Sequence, residues 1–206
     1  MWLDESKFEQ IAKIQKSELE YRDSVFLSEC SIKFISLFYK KVIHYNSTIF
    51  CVDETQQNEI KGFVFCTTNG QGYFRNFFNE TKLQLICYPS IYISLFKALL
   101  RRVGSKLLDY KHKTYNYNCE IVYMAVKRQY QEQGVGKKLI NLAEREFVKR
   151  GINKYFLEVF SGNNRAIKFY KTSGFVIVQS FKRGNMKKLI MYKDLPRFDI
   201  KNPLKQ

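Results

Sequence analysis

The amino-terminal part of the chain carries two stripes of apolar residues at the spacing of a buried helix face. The first stripe follows Ser6, which opens an S-x-x-E sequence of the form that caps a helix start. Its apolar members are Phe8, Ile11 and Ile14. A second stripe begins near Ser28, and its members are Phe34, Ile35, Phe38 and Val42. Because apolar residues three or four apart share one side of a helix, the pattern predicts two helices before any strand.

The apolar pattern changes to short strand-like runs between residues 47 and 67. Residues 47–52 and 60–67 are rich in β-branched and aromatic side chains, and the polar sequence DETQQNE separates them. Two such runs around a polar connection predict an antiparallel hairpin.

Residues 69–118 are rich in polar and aromatic side chains and contain one helical pattern. Pro89 suits the first turn of a helix, and apolar residues follow it at every fourth position. These residues are Ile91, Leu95, Leu99 and Val103. Such a helix could dock on the core or form a wall over a binding pocket, and the pattern leaves both possibilities open.

From residue 119 onward, strand-like and helix-like segments alternate. Strand patterns cover residues 120–126, 154–159, 175–181 and 188–194, and helical patterns cover residues 134–150 and 164–173. The longer helix carries on one face Val135, Leu139, Leu142, Ala143 and Phe147. Gly151 and Gly174 follow the two helices, where glycine commonly ends a helix, and the turn KRGN separates the last two strands. The order of elements predicts a mixed α/β sheet.

Composition limits the class of protein but not its function. With 206 residues, of which 45% are hydrophobic, the chain can form one domain with a substantial core. Its net charge of +16 predicts attraction to anions: nucleic acid, an acidic membrane or a phosphorylated small molecule. The longest apolar region, residues 83–103, is interrupted by a proline and three basic residues and falls short of the roughly 20 apolar residues that a spanning helix needs. Since the first residues also lack a secretory signal pattern, we expect a soluble, cytoplasmic protein.

The cysteines are scattered along the chain and form no CxxC pair. They are Cys30, Cys51, Cys66, Cys87 and Cys119. An odd number of widely spaced cysteines argues against a disulfide framework and against a zinc site. We therefore expect buried, reduced thiols and no metal.

A turn with two glycines lies between the predicted strand 120–126 and the predicted helix 134–150. Its sequence, QEQGVG, covers residues 131–136. A helix N-terminus presents unpaired N–H groups and partial positive charge, and glycine lets an anion approach them. The turn is no Walker A loop, because Lys138 stands where Ser or Thr is required, and no dinucleotide fingerprint, because Leu139 replaces the third glycine or alanine. A phosphate site of another kind and a turn used only for packing both remain possible.

The form that fits this turn is Q/R-x-x-G-x-G/A, and it resembles the cofactor-binding turn of the GNAT superfamily of acyl-CoA-dependent N-acyltransferases. Before the turn, Met124-Ala125-Val126 resembles the apolar strand end of the family. After it, the sequence follows the family pattern LEV…N..AI..[FL]Y…GF. The matching residues are Leu157, Glu158, Val159, Asn163, Ala166, Ile167, Phe169, Tyr170, Gly174 and Phe175. The resemblance covers about residues 119–195, with departures at Arg128, where proline is frequent, and at Glu132, where glycine is frequent.

The resemblance implies a mixed, mostly antiparallel twisted sheet flanked by helices, with a helical and aromatic insertion before the central strand. It implies a single acetyltransferase domain over residues 1–206. Residues 1–68 would supply the N-terminal helices and the hairpin, residues 69–118 a variable wall of the acceptor pocket, and residues 119–195 the acetyl-CoA-binding core.

The resemblance also implies roles for individual residues. The residues implied to hold acetyl-CoA are Ala125, Val126, Gln131, Glu132, Gln133, Gly134, Val135, Gly136, Lys137, Asn163, Ala166 and Phe169. Tyr170 would be the general acid at the sulfur, with a core aromatic as the alternative. Glu158, a carboxylate within the apolar strand KYFLEV, would be the general base or else a glutamate bonded at the strand edge. Asn163 would contact the pantetheine arm, cap the following helix, or do both.

The implied reaction is direct transfer of an acetyl group to a primary amine within a ternary complex. A small molecule such as an amino sugar is favoured over a protein or peptide amine, because a wall over the site would obstruct a folded protein. Two alternatives belong to other classes: a basic nucleic-acid-binding domain, suggested by the charge, and a catalytically silent acyl-CoA-binding protein. The sequence assigns no oligomeric state.

Overall fold

A computed structural model describes residues 3–19, 27, 30–70, 72–82, 84, 88, 119–183 and 186–196. Its helices are α1 (Glu5–Glu18), α2 (Ile32–Val42), α3 (Gly72–Thr81), α4 (Val135–Lys149) and α5 (Asn164–Thr172). Its strands are β1 (Thr48–Glu54), β2 (Ile60–Thr67), β3 (Glu120–Val126), β4 (Lys154–Phe160), β5 (Val176–Arg183) and β6 (Met186–Asp194). A single turn of 3-10 helix, Arg128–Tyr130, connects β3 to the loop before α4.

The strands of the described residues form one six-stranded sheet in the order β1-β2-β3-β4-β6-β5. All neighbours pair antiparallel except β3 and β4, which are parallel and connected through α4. The hairpin of β1 and β2 and the mixed, mostly antiparallel sheet are therefore confirmed. The sheet carries helices on both faces, so the predicted fold class is confirmed as well.

The two faces of the sheet bury different cores. One core is strongly aromatic and lies under α1, α2 and α3, with Phe38 in contact with several rings. The other lies under α4 and includes Leu139 and Phe147 from that helix and Tyr155 and Leu157 from β4. Alternate residues of β2 enter the two cores, as expected for a strand covered on both sides.

A β-bulge in β3 lies where this strand separates from β4. Phe65 of β2 pairs with Tyr123, but the next residue of β2 pairs with Ile121, so Val122 is an extra residue on β3. A bulge bends the strand that carries it and increases the local twist. On the other side of β3, pairing with β4 ends at Ile121 and Leu157, directly before this bulge.

Two details of the helix predictions were wrong. Asp4, rather than Ser6, caps α1: its side chain accepts a hydrogen bond from the Lys7 amide, whereas Ser6 lies inside the helix and donates to Asp4. On α4, Ile140 is buried where Leu142 was expected, because that helix turns Leu142 partly toward solvent.

The segment before β3 contains a helix that the sequence pattern did not reveal. Helix α3 buries Tyr73, Phe77 and Thr81, which stand four residues apart. Asparagine and glycine around these residues obscured the spacing, because they are typical of turns. The helix predicted after Pro89 and the last part of the KRGN turn lie outside the described residues.

Candidate functional site

The site is a cleft where β3 and β4 diverge. Beyond Ile121 and Leu157, β3 continues for five residues and β4 for three, with no pairing between them. Strand β3 remains paired with β2 along its other edge. The opening has a volume of about 790 Å³. Among the described residues, no strand pairs with this edge of β3 beyond Ile121, and an extended ligand can bind at such an edge as an added strand does.

The loop between β3 and α4 forms one end of the cleft. The Gln131 side chain folds back and donates to the carbonyl of Val126 at 2.7 Å and to the Glu18 carboxylate at 3.2 Å. Gly134 caps α4 in the left-handed conformation, with φ of 80°. The first bond of the helix runs from the Lys138 amide to the Gly134 carbonyl at 3.0 Å. The preceding amides, at residues 135–137, thus have no acceptor within the helix. Because such a helix start suits an anion, we refer to it as the anion-binding terminus.

Two ion pairs fix this loop and helix to the first hairpin. Lys127 and the Tyr130 hydroxyl both bind Glu59, at 2.5 and 2.7 Å. These hydrogen bonds lower the pKa of Glu59. Lys138 of α4 binds the buried Asp53 of β1 at 2.5 Å. The anion-binding terminus is therefore held by contacts on both of its sides.

The two glycines of the loop serve different purposes. At Gly134 a Cβ would meet nothing within 4 Å, so the positive φ is the reason for glycine there. At Gly136 a Cβ would lie 3.1 Å from the Phe169 ring and 3.3 Å from the Met124 side chain. Gly136 thus permits close approach of α4 to α5, and a side chain there would crowd the cleft.

Helix α5 forms the opposite wall. Asn163 caps it, and its side-chain oxygen accepts from the Ala166 amide at 3.0 Å, so the capping role predicted for this residue is confirmed. The Tyr170 ring packs edge-on against Phe169 and Phe175, with centroid distances of 5.2 and 5.4 Å. Both Phe169 and Tyr170 line the cleft and are half-buried.

Glu158 reaches the cleft from β4. Its side chain is 18% exposed, and its carboxylate lies 3.7 Å from the ammonium of Lys188 on β6, which is 7% exposed. Glu158 alternates with Leu157 and Val159, which enter the core under α4, so its side chain points to the other face of the sheet. A buried charge is costly unless it is paired, and the ion pair accounts for a carboxylate within this apolar strand.

The structure brings most of the predicted site residues together. Those that line the cleft are Ala125, Val126, Gln131, Glu132, Gly134, Gly136, Lys137, Glu158, Asn163, Ala166, Phe169 and Tyr170. Two predicted residues do not line it. The Val135 side chain is buried in the core under α4, and Gln133 faces solvent, where it donates to the Gln129 carbonyl at 2.7 Å.

Sequence reasoning missed several residues of the cleft. Arg165, Lys168 and Thr172 line it from one face of α5, and the spacing of three and four residues between them is a signal that could have identified them. Glu18 and Leu19 also line the cleft, at the end of α1. Because these two residues are far from the glycine turn in sequence, no local pattern identifies them as part of the cleft.

The site combines a split pair of parallel strands, a helix terminus suited to an anion and a second helix along the far wall, and these features suit an extended, phosphorylated ligand. The acetyltransferase (GNAT) family model matches residues 9–175, and the chain belongs to this family. It is an acetyltransferase that uses acetyl-CoA and acetylates an amine. A search of curated protein sequences found no significant match.

Solved structures of low identity share the fold. The ribosomal-protein-S18-alanine N-acetyltransferase from Escherichia coli is 15% identical, with a TM-score of 0.55 over 95% of this chain and 92% of that one. A spermidine N-acetyltransferase chimera of SpeG from Vibrio cholerae and hSSAT is 18% identical, with a TM-score of 0.56 over 93% and 92%. The PaiA N-acetyltransferase from Thermoplasma acidophilum in complex with coenzyme A is 14% identical, with a TM-score of 0.58 over 93% and 95%.

The residues of the cleft fit acetyl-CoA. The edge of β3 that faces the cleft suits the pantetheine arm, and the amides of residues 135–137 suit the pyrophosphate. The absence of a Cβ at Gly136 keeps the space beside Phe169 open. Lys137, Arg165 and Lys168 add positive charge to the cleft. Within the described part of the chain, the helices are too short or too polar to cross a bilayer.

We expect acetyl-CoA to stabilise the protein and Gly134→Glu to abolish this effect, because the new carboxylate would lie at the anion-binding terminus. At about 100 times the dissociation constant, a specific ligand adds about 2.7 kcal/mol of stability. For a chain of this size, the midpoint of a thermal melt should rise by roughly 5–11 °C.

Gly151→Glu is the matched control. Gly151 also has a positive φ, of 70°, and open space at its Cβ, so the substitution brings the same backbone strain and charge outside the cleft. In this control, acetyl-CoA should still raise the midpoint of the melt. An equal shift in both variants would contradict the assignment of the loop.

Proposed function

We propose that the protein transfers the acetyl group of acetyl-CoA to the primary amine of a small molecule, such as an amino sugar, by direct attack in a ternary complex. The observation that carries this proposal is that Glu158 and Tyr170, from β4 and α5, line the same cleft as the anion-binding loop. Acetyl-CoA supplies an activated acetyl thioester. The side chains of the cleft would move the protons.

Glu158 is the proposed general base. An alkyl amine with a pKa of about 10 is protonated at neutral pH and cannot attack until it loses a proton. The Glu158 carboxylate lies at the cleft and can take this proton directly or through one water. The ion pair with Lys188, 3.7 Å away, holds this carboxylate at the wall of the cleft.

Tyr170 is the proposed general acid. The departing thiolate is a better leaving group when it receives a proton, and a phenol in the wall of the cleft can donate one. The edge-on contacts with Phe169 and Phe175 hold the ring in place. The amides at residues 135–137 would bind the pyrophosphate, and Ala125 and Val126 would pair with the pantetheine arm.

The state of the cysteines supports direct transfer over an acetylated enzyme. Burial raises the pKa of Cys51 to about 11 and that of Cys119 to about 12. Burial also raises the pKa of Cys66 well above its ordinary value. A nucleophilic cysteine reacts as the thiolate, and none of the described cysteines lines the cleft. Cys87 lies outside the described residues.

Two observations bear on the acceptor. The carboxylates of Glu18 and Glu158 line the cleft and would attract an amine in its cationic form. The fold neighbours include enzymes named for spermidine and for an alanine of a ribosomal protein, so a protein or peptide amine is the second candidate. Membership of the family favours an enzyme over the nucleic-acid-binding alternative. A single domain over residues 1–206, with a pocket wall from residues 69–118, and a cytoplasmic location stay predictions.

A panel of small amines, amino sugars and peptides tests the acceptor class through release of the CoA thiol. We expect turnover on small amines, including amino sugars, and little on peptides. Activity on peptides alone would contradict the small-molecule proposal. Thiol release without any acceptor, followed by acetyl transfer from isolated protein, would contradict direct attack.

The two catalytic assignments predict losses in kcat with little change in KM for acetyl-CoA. On the best amine of the panel, Tyr170→Phe and Glu158→Gln should each lower kcat by ~10²- to 10⁴-fold, because each removes one proton transfer.

Matched controls separate these roles from structural damage. Tyr192→Phe removes a hydroxyl from β6, outside the lining of the cleft, and Glu144→Gln breaks a partly buried ion pair with Lys193 at 2.6 Å. Both controls should retain kcat within about threefold of the parent, since neither residue takes part in the proton transfers. Equal losses in the controls would contradict specific roles for Tyr170 and Glu158.

A further inference from the structure

An ion pair joins the two walls of the cleft at its cofactor loop. The Glu132 carboxylate accepts a hydrogen bond from the Arg165 guanidinium at 3.0 Å. Glu132 belongs to the loop after β3, and Arg165 belongs to the first turn of α5 after β4. Both residues line the cleft. The pair therefore spans the opening at the end where the anion-binding terminus of α4 lies.

Both members of the pair are highly exposed. The Glu132 side chain is 83% exposed and that of Arg165 is 63% exposed. Exposed ion pairs contribute little to stability, because water competes with them and side-chain entropy opposes them. The free-energy cost of opening this pair is therefore small.

Glu132 has an unusual backbone conformation, and Arg165 has an unusual position in its helix for a cation. Glu132 has a φ of 64°, in the left-handed region that side chains disfavour. Arg165 lies in the first turn of α5, where the partial positive charge of the helix disfavours a cation and favours a nearby anion. A phosphate group can replace the carboxylate as that anion, and its geometry suits a guanidinium in two parallel hydrogen bonds.

We infer that the Glu132–Arg165 pair is a latch that opens when CoA binds, with Arg165 moving from the Glu132 carboxylate to the pyrophosphate. Glu132 competes for Arg165 and also repels the phosphates, so it weakens binding of the cofactor and favours its release. The inference rests on the use of this cleft by acetyl-CoA, and it is independent of the acceptor and of the roles of Glu158 and Tyr170.

The test is calorimetric titration of the full chain with CoA at one fixed ionic strength, without any acceptor. Glu132→Gln should bind CoA roughly three- to tenfold more tightly, because repulsion is lost and Arg165 is released. Arg165→Gln should bind more weakly. In the Glu132→Gln background, the loss caused by Arg165→Gln should be about two- to fivefold larger than in the parent, since no ion pair has to open there.

Two control variants carry the same charge changes outside the cleft. Glu9→Gln breaks an exposed pair with Lys13 on α1, and Lys171→Gln removes an exposed cation from α5. Neither residue lines the cleft. Both controls should leave the affinity for CoA within about twofold of the parent, because exposed charges outside the site are screened by salt.

Dephospho-CoA identifies the phosphate group involved, because it keeps the pyrophosphate and lacks the 3′-phosphate. If the variants change the affinity for both ligands in the same way, the result supports contact with the pyrophosphate. If they change the affinity for CoA but not for dephospho-CoA, the assignment to the pyrophosphate is overturned. If Arg165→Gln lowers the affinity for CoA equally in both backgrounds, the proposed exchange of Arg165 between Glu132 and the pyrophosphate is overturned. Failure of the parent to bind CoA at all would overturn the cofactor assignment together with the latch.

Discussion

The early separation of β3 from β4 is the constraint on which the rest of the site depends. Two parallel strands that stayed paired to their ends would satisfy each other's backbone groups and leave no cleft. The bulge at Val122 falls directly after the last paired residues, Ile121 and Leu157. Because β3 stays paired with β2, the bend moves it away from β4 without leaving both of its edges unpaired.

Contacts within each side of this opening order the groups that face it. On one side, Asp53 and Glu59 of the first hairpin bind α4 and its loop through Lys138 and Lys127. On the other side, the Asn163 cap stabilises the start of α5, and the Tyr170 ring packs that helix against Phe175. The binding groups are thus in place before a ligand arrives, which reduces the entropy cost of binding. The exposed pair of Glu132 and Arg165 is a weaker contact between the two walls.

The sequence predicted the carboxyl-terminal half of the fold well, because each element there has strong local signals. Strand β3 was predicted with the bounds that the structure gives, and α4 and α5 were predicted to within a residue or two. The glycines at 151 and 174 do end these helices with positive φ. Helix α3 was missed because turn-forming residues surround its few buried aromatics.

The sequence did not predict which distant segments lie next to each other in space. Neither the bulge at Val122 nor the Glu158–Lys188 pair leaves a local signal, since both depend on which residues face each other across the sheet. Glu132 was identified as a departure from the family pattern. Its partner Arg165 became visible only when the two walls of the cleft were placed side by side.

Amide hydrogen exchange with and without acetyl-CoA tests whether the cofactor binds in the opening between β3 and β4. At saturating cofactor we expect exchange to slow more in peptides that cover residues 120–126 and 131–138 than in the hairpin of β1 and β2, because the first two segments would contact the ligand. Unchanged exchange in both of these peptides, or protection confined to other parts of the chain, would contradict binding in this opening.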